Sequence, residues 1–290
     1  MNNKEIVKNR IDFVYMIDVC NGNPNGDPNA SNLPRVDNEA QTGIITDGCI
    51  KRKVRDYIQI AHLGEKGYDM FVRQGAVLNR NIDEAYETEE VVSKTTDKDK
   101  REAARDIMCQ RYYDVRAFGA VMTTGKNAGQ VRGPIQIDFA HSIDPIFPIN
   151  CAITRVAVAT EREAEKQKGE NHTIGRKAIV PYGLYLCHGF VVPYFAEQTG
   201  FTEQDLDVFF DALKNMFVLD RSAARGLMSA QKLIVFKHDS ALGNAPANKL
   251  FDLVHVAKKD GVVVPRSFAD YEVTIDENPY ADHVSIEELI

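Results

Sequence analysis

An α+β fold is what this sequence predicts, and three observations predict it. A strand-like run from Ile11 to Val19 carries apolar side chains on both faces, with Phe13, Tyr15, Ile17 and Val19 on one. That pattern suits a central strand covered on two sides. A helix from about Thr46 to Ala61 has a Thr46 or Asp47 cap and an apolar stripe of Ile50, Val54, Ile58 and Ala61. A second helix opens at Thr202, where Thr202 and Asp205 make a capping-box pattern and Leu206, Phe209, Phe210, Leu213 and Phe217 form the buried stripe. In chain order the elements run strand, helix, strands, helix, strand, close to the β-α-β-β-α-β ferredoxin-like plan.

At 290 residues and 44% hydrophobic content the chain can build a packed core, and it reads as one domain over 1–290. No apolar run approaches the ~18 residues of a membrane span. The polar start Met1-Asn2-Asn3-Lys4-Glu5 lacks the shape of a signal peptide. The expectation is a soluble, cytoplasmic protein with no membrane contact. Cys20, Cys49, Cys109, Cys151 and Cys187 are far apart and contain no C-x-x-C pair, which fits free thiols better than a disulfide frame or a zinc site. The net charge of −7 argues against a strong nucleic-acid binder, but distribution outweighs the sum. An acidic C-terminal tail, 276–290, holds Asp276, Glu277, Asp282, Glu287 and Glu288 with no Lys or Arg. Residues 46–55 hold Lys51, Arg52, Lys53 and Arg55 against Asp47 alone.

Between these landmarks the pattern is uneven. The loop Asn21–Asn29 is punctuated by Asn-Pro, Asn-Gly and Asp-Pro, which favour ordered turns. Gly64 and Gly67 close the first helix; 65–100 reads as irregular, with a charged run from Asp83 to Lys100. A helix follows from about Asp99 to Tyr113, ended by a turn over Asp114–Gly119, and then a strand over Ile135–Phe139. Thr154 to Pro181 reads as a long β-hairpin, Val156–Ala159 leading out and Ala178–Val180 leading back, with a charged tip from Glu161 to Asn171. An apolar strand, Tyr182–Tyr194, follows; after the second helix come strands at Lys232–Lys237 and Leu250–Val256 and a short one at Val262–Val264.

A strand that empties into an Asn/Gly loop and then a capped, cationic helix describes a site for something anionic and extended, and RNA backbone fits it. Asn21, Asn23 and Asn25 shape the loop, and Asn side chains and Gly amides suit phosphate, ribose and base edges. Lys51, Arg52 and Arg55 are the phosphate candidates, aided by the helix N-terminus. The bland readings are a rigid turn that only positions the helix and a solvated charged face. The loop also imitates the start of a calcium loop, but position twelve is Asn32 where a Glu is needed. Ser222-Ala223-Ala224-Arg225-Gly226 lacks the Walker pattern, although its small residues allow close backbone approach. The seven histidines show no metal-ligand spacing, and no Gly-x-Ser-x-Gly elbow occurs. No catalytic residue, metal or cofactor is expected.

Several strings together resemble one family. They are Asn23-Pro24-Asn25-Gly26-Asp27-Pro28, Leu33-Pro34-Arg35-Val36-Asp37, Thr46-Asp47 and Lys51-Arg52-Lys53-Val54-Arg55-Asp56-Tyr57. Asp114-Val115-Arg116-Ala117-Phe118-Gly119, Gly129-Gln130-Val131-Arg132-Gly133-Pro134, Ser142-Ile143-Asp144-Pro145 and Thr154-Arg155 continue the series in order. In this the chain is similar to the backbone subunit of the type I-C CRISPR effector, or Cascade, to about residue 240. The resemblance implies an RRM-like (ferredoxin-like) palm, a helical finger insertion at 63–113 and a β-hairpin thumb at 154–181. It also implies an antiviral-defense role. Copies would stack head to tail along CRISPR RNA into a helical filament, with other Cascade subunits, leaving the spacer free to pair with target DNA. Arg35, Arg116, Arg132 and Arg155 are then supporting cations, and Arg176 and Lys177 thumb-base candidates. The chain shows no RNP-type aromatic string, which favours a grip on backbone over stacking of bases.

A subunit that holds any spacer cannot read base edges, so it must grip phosphates and 2′-hydroxyls. The rival expectation is an RRM-like endoribonuclease that processes CRISPR RNA precursors, for which His62 or His141 are the least implausible general bases. A small-molecule-binding α+β protein fits the charged arm poorly.

Overall fold

The computed structural model describes residues 5–167 and 172–290. Its centre is strand β1, Ile11–Gly22. The other strands of the central eight-stranded sheet are β2 Thr42–Ile45, β3 Ile135–Ile137, β4 Ala140–Pro145, β5 Ile149–Arg155, β6 Thr173–Val191, β7 Leu227–His238 and β8 Val284–Glu288. The order is β8-β7-β1-β6-β4-β2, and β3 and β5 also pair with β6. Every pairing in this sheet is antiparallel.

β1 is paired along its length with β6 on one side and β7 on the other. Both of its faces are covered, as its two-sided sequence pattern expects. On one face Phe13, Tyr15, Ile17 and Val19 pack against Ile50, Val54 and Ile58 of helix α1, Asp47–Ala61, and against Leu206, Phe209 and Phe217 of helix α2, Glu203–Leu219. The Tyr15 hydroxyl donates to the Leu213 carbonyl at 2.5 Å, which satisfies the one polar atom of a fully buried ring. Gly189 lies opposite Phe13 in the β1–β6 register, and the Phe13 ring fills the space a side chain there would need. On the other face Val14 and Met16 join Ile234, Phe236, Leu250 and Tyr271. The cover there is a short helix, Ala247–Phe251, and a hairpin of Val254–Lys258 with Tyr271–Ile275. Bases therefore cannot stack on the middle of this sheet face.

The capping box at the start of α2 forms as the sequence indicates, with the Thr202 hydroxyl accepting from the Asp205 amide and the Asp205 carboxylate accepting from the Thr202 amide. The C-terminal strands differ from expectation. Leu250–Val256 splits into the helix Ala247–Phe251 and the strand Val254–Lys258, and its partner is Tyr271–Ile275 while Val262–Val264 forms no strand. The acidic stretch 276–290 is not a loose tail over its whole length. Val284–Glu288 is β8, with Val284 buried and Glu287 paired to Lys237 across the register. The alternation of apolar and acidic residues is a strand signal once a lysine-bearing neighbour offsets the charge.

A second hydrophobic cluster stands beside the sheet. Helices Leu78–Tyr86, Glu89–Val92 and Asp97–Arg111 and the hairpin Gly119–Met122/Gly129–Arg132 bury Ile82, Ala85, Val91, Ala104, Met108, Met122 and Val131 together. The expectation of irregular chain over 65–100 is thus corrected. Two of these helices are short and carry only one or two apolar positions per turn amid charge, too weak a period to read without the partner helix. Asp114–Gly119 is not a turn: Tyr113–Phe118 is helical and buried throughout, and Gly119 at φ 84° ends it.

The hairpin arm exists with shifted strands. β5 pairs with the first part of β6, from Thr173↔Arg155 to Ile179↔Ile149. The outgoing strand is therefore Ile149–Arg155, where Ile149, Cys151 and Ile153 alternate, and Val156–Ala159 lies beyond it. Glu161–Gln167 is a helix, and the rest of the expected tip, 168–171, lies outside the described residues. β6 continues from the arm straight into the sheet, so the expected break between hairpin and apolar strand is absent. Among the described residues, no helix is long and apolar enough to cross a membrane.

Two buried ion pairs tie the second cluster to the sheet layer. Arg116 places Nε and Nη2 on the two carboxylate oxygens of Asp205, at 3.0 and 2.6 Å, and Nη1 donates to the carbonyls of Gly67 and Cys109. Arg55 donates to Asp114 at 2.8 Å, and the Phe71 and Val72 amides complete that carboxylate. Removing one partner leaves a buried charge uncompensated. Arg116→Ala should lower unfolding free energy by about 3–5 kcal/mol in urea titrations, more than Arg52→Ala at an exposed position on α1.

Candidate nucleic-acid interface

At the C-terminal end of β1 three segments meet: the Asn23–Asn32 loop, the first turns of α1, and the chain from Asp220 to Arg225 after α2. They enclose a cleft of about 210 Å³ lined by Asn23, Asn25, Arg52, Lys53, Asp220 and Arg225, among others. The loop is built from local hydrogen bonds. The Asn23 amide donates to the Ala224 carbonyl at 2.6 Å, and Asn23 Nδ2 donates to the Asn32 carbonyl at 2.7 Å. The Asn25 side-chain oxygen accepts from both the amide and the hydroxyl of Thr46, each at 3.0 Å. Thr46 in turn caps α1 by accepting from the Cys49 amide. One asparagine therefore fastens the loop to the helix N-terminus. Asn21 adopts a left-handed backbone, φ 49°, where the chain turns out of β1.

The cations of α1 divide between two sides. Arg52 has 64% of its side chain exposed and only a surface pair with Asp56. Lys53 is buried and forms an ion pair with Asp220, which also binds Arg225 at 3.2 Å. Burial, with help from Arg225 and Arg52, pushes the Lys53 ammonium down to about 8. Lys51 pairs with Asp47 at 2.8 Å and sits over the Phe118 ring, and Arg55 lies over the same ring while bound to Asp114. Neither Lys51 nor Arg55 lines the cleft.

The remaining candidates are scattered. Arg35 pairs with Asp27 at 3.5 Å within the loop, and its Nε is buried without a partner. Arg116 is the buried anchor described above. Arg132 is exposed and stacks on Phe195, 4.4 Å from the ring centroid. Arg155 is exposed at the end of β5, donating to the Ala157 carbonyl. Arg176 is exposed on β6, and Lys177 reaches the Ala223 carbonyl at 3.5 Å. That last contact places the base of the hairpin arm against the segment that walls the cleft. Sequence reasoning missed Arg225 and Asp220 and left Lys53 out of the site. The small-residue run before Arg225 was the available signal.

The histidines hold no comparable arrangement. His62 bonds Glu65 and stacks on Tyr68, 4.5 Å between centroids, in a separate cleft of about 830 Å³. His141 is exposed on β4. Burial lowers the His188 imidazole, which packs on Phe251. Among the described residues no cluster of three His, Cys, Asp or Glu could hold a metal ion.

Residues 9–276 match the family model described as CRISPR-associated protein Cas7. A Haloferax volcanii protein of that same description is 24% identical over 292 aligned residues, covering 93% of this chain and 81% of that protein. A chain of a solved complex described as "CRISPR RNA-guided surveillance complex, pre-nicking" aligns at a TM-score of 0.51 and 13% identity, covering 78% of each chain. At that identity the likeness speaks for the fold alone.

Asn25→Ala removes both acceptor bonds to Thr46 and should cost about 1–3 kcal/mol. Hydrogen exchange should show the loss first at the Thr46 amide, with β1 amides unchanged.

Proposed function

The chain belongs to the CRISPR-associated Cas7 family, and from that premise we propose that it is a non-catalytic subunit that binds CRISPR RNA. It polymerises head to tail along the guide into the helical backbone of a type I-C surveillance complex, Cascade, beside other subunits. The spacer stays available to pair with target DNA. A head-to-tail contact that does not close is heterologous and builds a helical polymer.

The observation that carries this reading is the cationic cleft at the end of β1, flanked by the base of the arm. Arg52 and Arg225 take phosphates, Asn21, Asn23 and Asn25 shape the loop along which the strand runs, and Lys177 and Arg176 meet it at the foot of the arm. Arg35, Arg132 and Arg155 support the path from more distant positions. Arg55 and Arg116 contribute by holding the frame rather than the RNA, because both guanidinium groups are engaged with buried carboxylates.

An RRM-like palm is supported by the spatial order β7-β1-β6-β4, with α1 following β1 and α2 following β6, which is the arrangement of a ferredoxin-like sheet. The finger at 63–113 extends on this reading through the hairpin that shares its core, and the thumb is the arm at 154–181. Covering of one sheet face by the C-terminal segment agrees with a subunit that grips backbone and leaves sequence to base pairing. The rival endoribonuclease has no observation in its favour: neither His62 nor His141 lines the cationic cleft.

Filter binding of CRISPR RNA over a salt series tests the grip. Affinity should fall linearly on logarithmic axes, and Arg52→Ala with Arg225→Ala should reduce the slope by about 2. A flat salt response, or an unchanged slope in the double variant, counts against the cleft. Specific cutting of a repeat-containing transcript that is lost in His62→Ala or His141→Ala would establish the rival.

A further inference from the structure

The cleft already contains an anion of its own. Asp220 lines it together with Lys53 and Arg225. One carboxylate oxygen takes the buried Lys53 ammonium, and the Arg225 Nε lies 3.2 Å from each of the two oxygens. Two cations on one anion is also the arrangement that would hold a phosphate.

The position is an unfavourable one for an acid. Asp220 is the C-cap of α2, where the last helix carbonyls disfavour negative charge. The cap uses the Asp220 amide, which donates to the Met216 carbonyl, so the helix end has no need of the carboxylate. The segment that follows is pinned from two sides. Lys177 at the base of the arm donates to the Ala223 carbonyl, and the Asn23 amide donates to the Ala224 carbonyl. The carboxylate therefore stays between its two cations.

A free phosphate entering the cleft meets this carboxylate and must compete with it for Lys53 and Arg225. Like charges brought together in this way are strongly unfavourable. A phosphate within a polymer arrives at high effective concentration, because its neighbours are held elsewhere on the protein. It can then draw the Arg225 guanidinium from Asp220 where a free anion cannot. We propose that Asp220 determines specificity as a built-in anion, which closes the cleft to free phosphates and reserves it for phosphates within a polynucleotide. The proposal rests on the nucleic-acid reading above and adds the group that excludes small anions.

Calorimetric titration of the full chain with inorganic phosphate, against sodium chloride at matched ionic strength, tests it. At pH 7 the Lys53 ammonium, pushed down to about 8 by burial, still carries its charge. The wild-type chain should show no binding beyond the chloride blank. Asp220→Asn keeps the shape and removes the charge, and it should gain about tenfold or more in phosphate affinity. Its RNA affinity should match or exceed that of the wild type, with a salt slope steeper by about 1. Should this variant fail to fold because the Lys53 ammonium is left unpaired, Asp220→Asn with Lys53→Met removes both charges. Arg52 and Arg225 should then give the same gain in phosphate binding. The proposal is overturned if the wild type binds phosphate, or if the folded variant gains none. It is also overturned if folded Asp220→Asn loses RNA affinity, since Asp220 then only positions the cations. Failure of every form to bind RNA would instead remove the nucleic-acid reading, while the phosphate titration still decides the role of Asp220.

Discussion

The rest of the structure depends on β1 being paired on both edges and covered on both faces. A strand in that position has no freedom in register, because a slip of one residue would turn Phe13, Tyr15, Ile17 and Val19 to the opposite face. The chain therefore leaves the sheet at a fixed point, after Gly22, which pairs with Val180 at the foot of the arm. The cleft is the immediate continuation of that fixed point. Its loop is tied to the Asp220–Arg225 segment through Asn23 and to α1 through Asn25 and Thr46, so the core's rigidity extends to the residues that line the cleft without a large dedicated framework.

Charge is divided by the same logic. Cations near one another in sequence perform different tasks according to the carboxylates that fold up to them. Arg55 and Arg116 meet Asp114 and Asp205, bury, and hold the helical cluster to the sheet layer. Arg52 meets, among the described residues, only Asp56 at the surface through its Nε, and 64% of its side chain is exposed. In a chain with a net charge of −7 the cleft sets Arg52, Lys53 and Arg225 against Asp56 and Asp220, a small excess of cations, while part of the remaining acid lies on β8 against the lysines of β7.

What was legible in the sequence follows this division. β1, α1 and α2 could be read because their apolar periods are long and their caps are local, as the Thr202 and Asp205 box shows. The arm could be read in existence but not in register, since pairing of Ile153 with Gly175 is decided by the continuation of β6 into the sheet. The loop was legible as ordered turns because its turn residues are adjacent in sequence. The partners of Arg55 and Arg116 were not, because Asp114 and Asp205 lie far along the chain and a cation carries no sign of the acid it will meet. Arg225 and Asp220 escaped for the same reason: they belong to the cleft only after α2 has packed on β1 and α1. β8 was hidden by its acids, which read as a tail until the β7 lysines are in place.

The central claim is that this chain is a repeating unit whose assembly is templated by RNA. Electron microscopy of the chain co-purified with CRISPR RNAs of two spacer lengths tests that claim most directly. The account predicts helical particles whose length and number of copies grow in proportion to the spacer. A fixed number of copies on both RNAs, or particles of the same form assembled without RNA, would contradict it.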